Sequence, residues 1–337
     1  MYRGALRKLN MSSNSYISQT VVCKRARSQR SMTFQPKMEP RYDFNRKWKR
    51  TLKEPCRTQA CFKLLCYNVL AQDLLTEHIF LYEKIDQQFL RWHKRLMNLQ
   101  QELMKLDADI MCLQEMQYDH LPILVQQLSV YSKKRLEYLF KKKTGYRTDG
   151  CAIIYDSSKL QLLKQQSVEL YDQKLPLLDR ANVAQLAKFK LKHAGKEFIV
   201  ANTHLLFNPR RDDVRCAQLA RLLKELCEFR EDTATPIVIM GDFNSMPNST
   251  PIELITKEPT DDTTPHFEAI DFGKFTASTY QNDWVTVDYM MRSKCPQLQV
   301  QSVYQLPTIN SCANVGPIPN RFLGSDHYVL GAVFAFA

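Results

Sequence analysis

From residue 61 onward the chain alternates short apolar runs with amphipathic stretches. Residues 61–69, 109–113, 136–141, 150–155, 184–191, 197–202 and 236–240 are short, apolar and bounded by turn formers, which predicts largely buried strands. Further strands are predicted over 160–170, 285–291, 298–304 and 328–336. The spacing of Leu90, Leu96, Leu99, Leu103 and Leu106 predicts a helix over 89–106, and the same argument predicts helices over 119–131 and 211–230. Strands follow one another with few helices between them. That order argues for two packed sheets flanked by helices and against a simple parallel Rossmann sheet.

Charge separates the chain into two parts. Residues 1–60 hold 15 Lys+Arg against Glu39, Asp43 and Glu54, which is +12, and the remainder holds 32 basic and 32 acidic residues. The whole net charge of +12 therefore belongs to the N-terminal 60 residues. These are expected to form a basic, largely disordered arm, with the catalytic domain over 61–337. Residues 1–37 contain no acid, are rich in Arg and Ser, and place Tyr2, Ala5, Leu6 and Leu9 on one helical face. This is the pattern of a mitochondrial transit peptide. A nucleic-acid-binding arm and a nuclear signal at 24–27 stay open beside it, so the expected location is mitochondrial or cytoplasmic, with the nucleus a lesser choice. No apolar run reaches the roughly 20 residues a membrane span needs. The ten cysteines form no C-x-x-C pair or zinc spacing and read as reduced thiols.

Six blocks carry candidate chemistry: 67–70 (YNVL), 113–115 (LQE), 202–204 (NTH), 241–245 (GDFNS), 287–289 (VDY) and 325–327 (SDH). Each sets a carboxylate, carboxamide or imidazole beside an apolar run. Oxygen ligands suit a hard divalent cation, and imidazoles handle protons, a set fitted to phosphoester hydrolysis. Glu115 is expected just past the end of a strand. Asp242 and Asn244 flank Phe243 after an apolar strand, and Gly241 permits the close turn. Asp288 lies inside an apolar strand, where an unpaired charge would be costly, so it is expected to pair with His327. The plainer alternatives are an Asx turn at 242–244 and a structural role for His204. The basic stretch from Lys133, Lys134 and Arg135 to Lys141, Lys142, Lys143 and Arg147 is either a local nucleic-acid footprint or a solvated, lysine-protected strand edge.

Taken together, the blocks resemble the endonuclease/exonuclease/phosphatase superfamily over residues 61–337. The sequences at 67–71, 149–152, 202–209 and 213–218 resemble its deadenylase-like subgroup, with the Angel proteins nearest and nocturnin a neighbour. The resemblance implies a DNase-I-like fold, a four-layer α-β-β-α sandwich of two packed mixed sheets between helices. It implies Mg²⁺, with Mn²⁺ as a substitute, held by Asn68, Glu115 and Asp326. It implies that Asp242, Asn244 and His327 surround the attacking water, that Asp288 orients His327, and that His204 contacts the scissile phosphate. Asn208, Arg210, Lys141, Lys142, Arg147, Phe275 and Tyr280 are the candidates for substrate contact.

The expected partner is the single-stranded 3′ end of an RNA. The expected activity is 3′–5′ exoribonucleolytic shortening, of poly(A) in particular. The alternatives are removal of 2′,3′-cyclic phosphates from RNA 3′ ends and a non-catalytic RNA-binding scaffold. Only 42 residues (246–287) separate Ser245 from Asp288, where the resemblance implies a long insertion in larger relatives.

Overall fold

The computed structural model describes residues 46–52, 60–260 and 264–337. The expectations for residues 1–37, the transit-peptide pattern among them, lie outside the described residues.

Two sheets face each other. The first runs in the order β1 (Trp48–Arg50), β14 (Leu298–Tyr304), β15 (Leu330–Phe336), β2 (Cys61–Asn68), β3 (Ile110–Gln117), β5 (Asp149–Asp156), β4 (Leu136–Lys142). The second runs β10 (Phe267–Ala269), β13 (Asp288–Ser293), β9 (Ile237–Asp242), β8 (Glu197–His204), β7 (Val183–Leu191), β6 (Leu160–Glu169). A two-stranded ribbon, β11 (Thr279–Gln281) with β12 (Asp283–Val285), stands apart from both.

Each sheet holds one parallel pair, β2–β3 and β8–β9, and every other pairing is antiparallel. A parallel pair needs a crossover, and here the crossovers carry helices α2 (Trp92–Leu106) and α4 (Asp212–Arg230). α2 and α3 (Leu121–Ser132) cover one sheet through Leu99, Leu103, Leu124 and Leu128, which pack on Leu65, Met111 and Ile154. α4 and α5 (Thr250–Thr256) cover the other through Leu219, Leu222, Leu226 and Ile255. Between the sheets Phe62 stacks on Phe198 with ring centres 4.0 Å apart and on Phe334 at 5.3 Å. The result is the four-layer sandwich expected from the sequence.

The core strands and the three long helices fall within a few residues of their expected bounds. The short elements α1 (Gln72–Glu77), α5, α6 (Ile309–Val315), β1 and β10–β12 were not foreseen, because three to seven residues carry too little periodicity. The eight cysteines among the described residues form no disulfide with one another.

One expectation about the arm changes. Trp48–Arg50 pairs with β14, and Arg46 is buried, donating to the carbonyl of Val329 at 2.5 Å and standing 3.5 Å from Glu102. This part of the basic segment completes the first sheet.

Candidate active site

Parallel pairs place their C-terminal strand ends side by side, and that is where the site lies. Asn68 ends β2, Glu115 sits near the end of β3, His204 ends β8 and Asp242 ends β9. Two antiparallel neighbours complete the ring. Asp288 opens β13, directly opposite Asp242, and His327 lies just before β15.

Glu115 is not past the strand, as expected, but inside it. The β3–β5 register slips between Leu113 and Met116, and Glu115 takes a left-handed φ of 54°. A bulge of this kind turns a side chain out of the sheet's alternation and aims it at a site. Asn244 has the same backbone state, with φ 49°. Gly241, at φ 150°, has no room for a side chain: a Cβ there would stand 1.8 Å from the carbonyl oxygen of Thr203. Only glycine lets β9 close against β8 and bring Asp242 level with His204.

Asn68 is the hub. Its Nδ2 donates to Glu115 Oε1 and Asp242 Oδ2, each at 3.0 Å, and its Oδ1 accepts from the backbone N–H of Leu70. The amide therefore presents its nitrogen to the carboxylates. Its oxygen accepts from the Leu70 N–H and keeps a second lone pair for the ligand role the resemblance implies. Ser325 Oγ donates to the Asn68 carbonyl at 2.6 Å and accepts from the N–H of His327, joining the β2 end to the 325–327 turn.

The two imidazoles differ in charge. Burial lowers the His204 pKa well below its ordinary value, and the charges of Lys143 and His327 push the same way. A neutral His204 accepts from Asn244 Nδ2 through Nε2 at 3.1 Å, which leaves its proton on Nδ1, 4.0 Å from Glu115 Oε1. At His327 burial also opposes the charge. The Asp288 carboxylate, 2.8 Å from Nδ1, outweighs it with help from Asp326 and Asp242, and the imidazole stays protonated well above its usual range. Its Nε2 faces Asp242 at 3.8 Å and Asp326 at 3.9 Å. The expected Asp288–His327 pair is present. Asp288 is oriented in turn by Ser278, whose Oγ accepts from the N–H groups of Val287 and Asp288.

Burial raises the pKa of Asp242 to about 7, and the facing Asp288 adds to it. Glu115 is raised as well, by burial first and then by Asp326 against the opposing pull of Lys143. Lys143 is taken up by Asp149 at 2.7 Å, and His327 by Asp288. Glu115, Asp242 and Asp326 thus share a pocket with too little positive charge to balance them, which is the setting a divalent cation fills. Ligand atoms of Glu115, His204 and Asp242 all lie within 4.8 Å of one another, as do those of Asp242, Asp288 and His327. Oxygen donors dominate both groups, as Mg²⁺ or Mn²⁺ requires.

Glu115, His204, Asp242, Asp326 and His327 line a cavity of about 540 Å³. Its walls include Tyr82, Lys143, Arg147, Asn182, Phe207 and Tyr280. That volume takes a single nucleotide with room to spare. Arg147 and Tyr280, two of the substrate candidates, line it. Lys141 does not, since it pairs with Glu169, nor does Lys142, whose Nζ is spent on the carbonyls of Gly145 and Arg147. Asn208 turns its Oδ1 to the N–H of Arg210, and both residues lie on the exposed loop outside the cavity. Phe275 is 85% exposed and is not part of the wall.

Three contributors were not singled out from the sequence. Tyr82 donates to Asp326 Oδ2 at 2.7 Å. Arg95, fully buried, donates to the carbonyls of Val69, Leu70 and Gly324. The third is Ser278. Lys143, part of the basic stretch read from the sequence, also lines the cavity, whereas Tyr82, Arg95 and Ser278 come from segments that share no pattern with the six blocks.

Beneath the site Gln114 and Asn202 lock the sheets together. Gln114 Nε2 donates to Asn202 Oδ1 at 2.6 Å, and Asn202 Nδ2 donates to the carbonyls of Leu113 and Ala152.

The chain matches the endonuclease/exonuclease/phosphatase family over residues 65–327. It is 52% identical over 354 aligned positions to protein angel of Drosophila melanogaster, and the match spans 99% of each chain. It is 40% identical over 203 residues to protein angel homolog 2 of Homo sapiens, covering 58% of this chain and 37% of that longer one. Among solved structures it is similar to ANGEL2, a 2′,3′-cyclic phosphatase, in complex with adenosine-2′,3′-vanadate. That likeness has 27% identity, 86% and 98% coverage and a TM-score of 0.75. The human nocturnin catalytic domain with bound sulfate, at 21% identity, 88% and 98% coverage and a TM-score of 0.67, shares the fold. Among the described residues no helix is long and apolar enough to cross a membrane. With its strand-end ring of carboxylates and imidazoles, the chain belongs to the endonuclease/exonuclease/phosphatase family of divalent-metal-dependent phosphoesterases, in the Angel branch.

Proposed function

We propose that the protein removes 2′,3′-cyclic phosphates from RNA 3′ ends in a Mg²⁺-dependent reaction. The carrying observation is the likeness to ANGEL2 bound to adenosine-2′,3′-vanadate, together with a cavity here sized for one terminal nucleotide. Two hydrolyses are needed. Water first opens the ring to a phosphomonoester, and a second water releases inorganic phosphate and leaves both hydroxyls.

The residues suit that chemistry. Asp242, which faces His327 Nε2 at 3.8 Å, is placed to accept a proton from water. His327, charged through Asp288, donates to a phosphoryl oxygen or to the departing ribose oxygen. Asn244 holds neutral His204 beside the carboxylates, with the His204 Nδ1–H turned toward the Glu115 side of the cavity. Glu115 and Asp326 are the residues that would hold the cation, with Asp242 at its second side. When bound, Mg²⁺ supplies Lewis-acid stabilisation of charge on the phosphoryl oxygens.

The exoribonuclease reading uses the same ligands and rests on the deadenylase-like blocks of the sequence. Two RNAs of one length, one ending in a cyclic phosphate and one in a 3′-hydroxyl poly(A) tail, separate the two. Loss of the terminal phosphate at constant length is expected. A ladder of shortened products from the poly(A) RNA, with the cyclic end untouched, would favour the exonuclease.

A further inference from the structure

Three consecutive lysines, Lys141–Lys143, lie where β4 ends, and their side chains go to three places. Lys141 pairs with Glu169 of β6. Lys142 Nζ donates to the carbonyls of Gly145 at 2.6 Å and Arg147 at 2.9 Å and so shapes the loop that follows. Thr144 Oγ1 donates to the second oxygen of Glu169. With both flanks pinned, Lys143 points into the cavity, its side chain only 12% exposed.

Burying an ammonium is costly unless it is paired, and Asp149 Oδ2, at 2.7 Å on β5, is the partner. The neighbouring Gly150 lets β5 approach closely enough: a Cβ there would stand 2.0 Å from the carbonyl oxygen of Lys141. The contact is an ion pair, and an ammonium carries three N–H donors. Glu115 and His204 line the same cavity as Lys143, and the charge of Lys143 is felt at both. Arg147 also lines the cavity, but its guanidinium is engaged by Glu77 at the exposed rim. The Lys143–Asp149 arrangement is a buried, paired cation in the wall of the cavity that Glu115, His204 and Asp242 line.

We propose that Lys143 is a phosphate-binding residue of this site, its ammonium contacting a non-bridging oxygen of the phosphoryl group undergoing hydrolysis while Asp149 holds it in place. The proposal rests on the phosphoesterase reading of the site and adds a side chain that none of the six sequence blocks contains.

The test is the double variant Lys143→Met/Asp149→Asn, which removes the cation without stranding a buried carboxylate. Lys143→Gln is the second variant should the double one fail to fold, and Lys143→Arg is the conservative control. Two readouts are taken on the Mg²⁺-loaded protein. The first is kcat/KM on adenosine 2′,3′-cyclic monophosphate and on a short RNA with the same end. The second is the melting-temperature shift produced by inorganic phosphate. Loss of a charge-assisted contact to the reacting group predicts a fall on the order of 10- to 100-fold on both substrates alike. The phosphate-induced shift should shrink, and Lys143→Arg should keep most of both. Parent-like kcat/KM and phosphate shift would overturn the proposal. So would a loss confined to the RNA, which would put Lys143 on an upstream phosphate. If the parent hydrolyses neither substrate, the cyclic-phosphatase reading fails, while the phosphate shift still decides the role of Lys143.

Discussion

Asp288 and Asp242 face each other directly across the antiparallel pair β13–β9, and the ring of His327 lies between them, Nδ1 at 2.8 Å from Asp288 and Nε2 at 3.8 Å from Asp242. Two like charges opposite one another destabilise a sheet unless something separates their roles. The imidazole does this. Asp288 is hydrogen-bonded to His327, while burial, with Asp288 adding to it, raises Asp242 to about 7.

The first prediction concerns Asp288→Asn. The amide keeps the shape but loses the charge that holds His327 protonated. The rate should fall on the order of 10³-fold. The pH profile should move as well. A raised His pKa keeps the protonated form up to that raised value, so removing Asp288 should shift the alkaline limb of the rate profile to lower pH. A rate–pH profile of the variant checks both, and an unmoved alkaline limb would show that His327 does not act as the acid.

Metal binding should depend on pH in a definite sense. Asp242 and Glu115 are both raised by burial, and a cation must displace their protons. A carboxyl raised in the folded state contributes stability at low pH that is lost as pH climbs from the unfolded value, 3.8 for Asp242, through about 7. The metal-free protein should therefore lose stability over that window, and Mg²⁺ should restore it. The melting-temperature gain from Mg²⁺ should be small near pH 5.5 and large near pH 8. A gain that does not change with pH would count against these carboxylates as ligands.

The segment before residue 61 has a structural part that can be isolated. Arg46 balances the buried carboxylate of Glu102, which also accepts from Tyr67 at 2.8 Å. A chain beginning at residue 61 would leave Glu102 buried without its cation, a loss of about 3–5 kcal/mol. Glu102 is already raised above 4.5 by burial, with Arg46 opposing the rise. Without Arg46 the deficit should deepen as pH rises and Glu102 ionises. Chemical denaturation of chains starting at residues 41 and 61 measures this, and equal stabilities would show that Arg46 and β1 are dispensable.

How much of this was legible in sequence depends on how local the signal is. The pairing of Asp288 with His327 follows from one buried charge needing one partner, and it could be read without coordinates. The bulge at Glu115 could not, because nothing in 113–117 marks a register slip. The nitrogen-first orientation of Asn68 depends on where the Leu70 N–H points. Lys141 and Lys142 looked like a footprint because charge is visible in sequence, whereas the salt bridge to Glu169 and the carbonyls that consume them are not. Tyr82 and Arg95 reach the site from the loop and helix between β2 and β3, and contacts across such distances leave no periodic trace.

The account rests most heavily on what the site does to an RNA end. The most direct measurement is intact mass spectrometry of a defined oligoribonucleotide ending in a 2′,3′-cyclic phosphate, incubated with the protein and Mg²⁺. The product should have every nucleotide of the substrate and two terminal hydroxyls, with one phosphate released per strand, and EDTA or Glu115→Ala should abolish the change. Products shortened by whole nucleotides, or conversion that persists in Glu115→Ala, would contradict it.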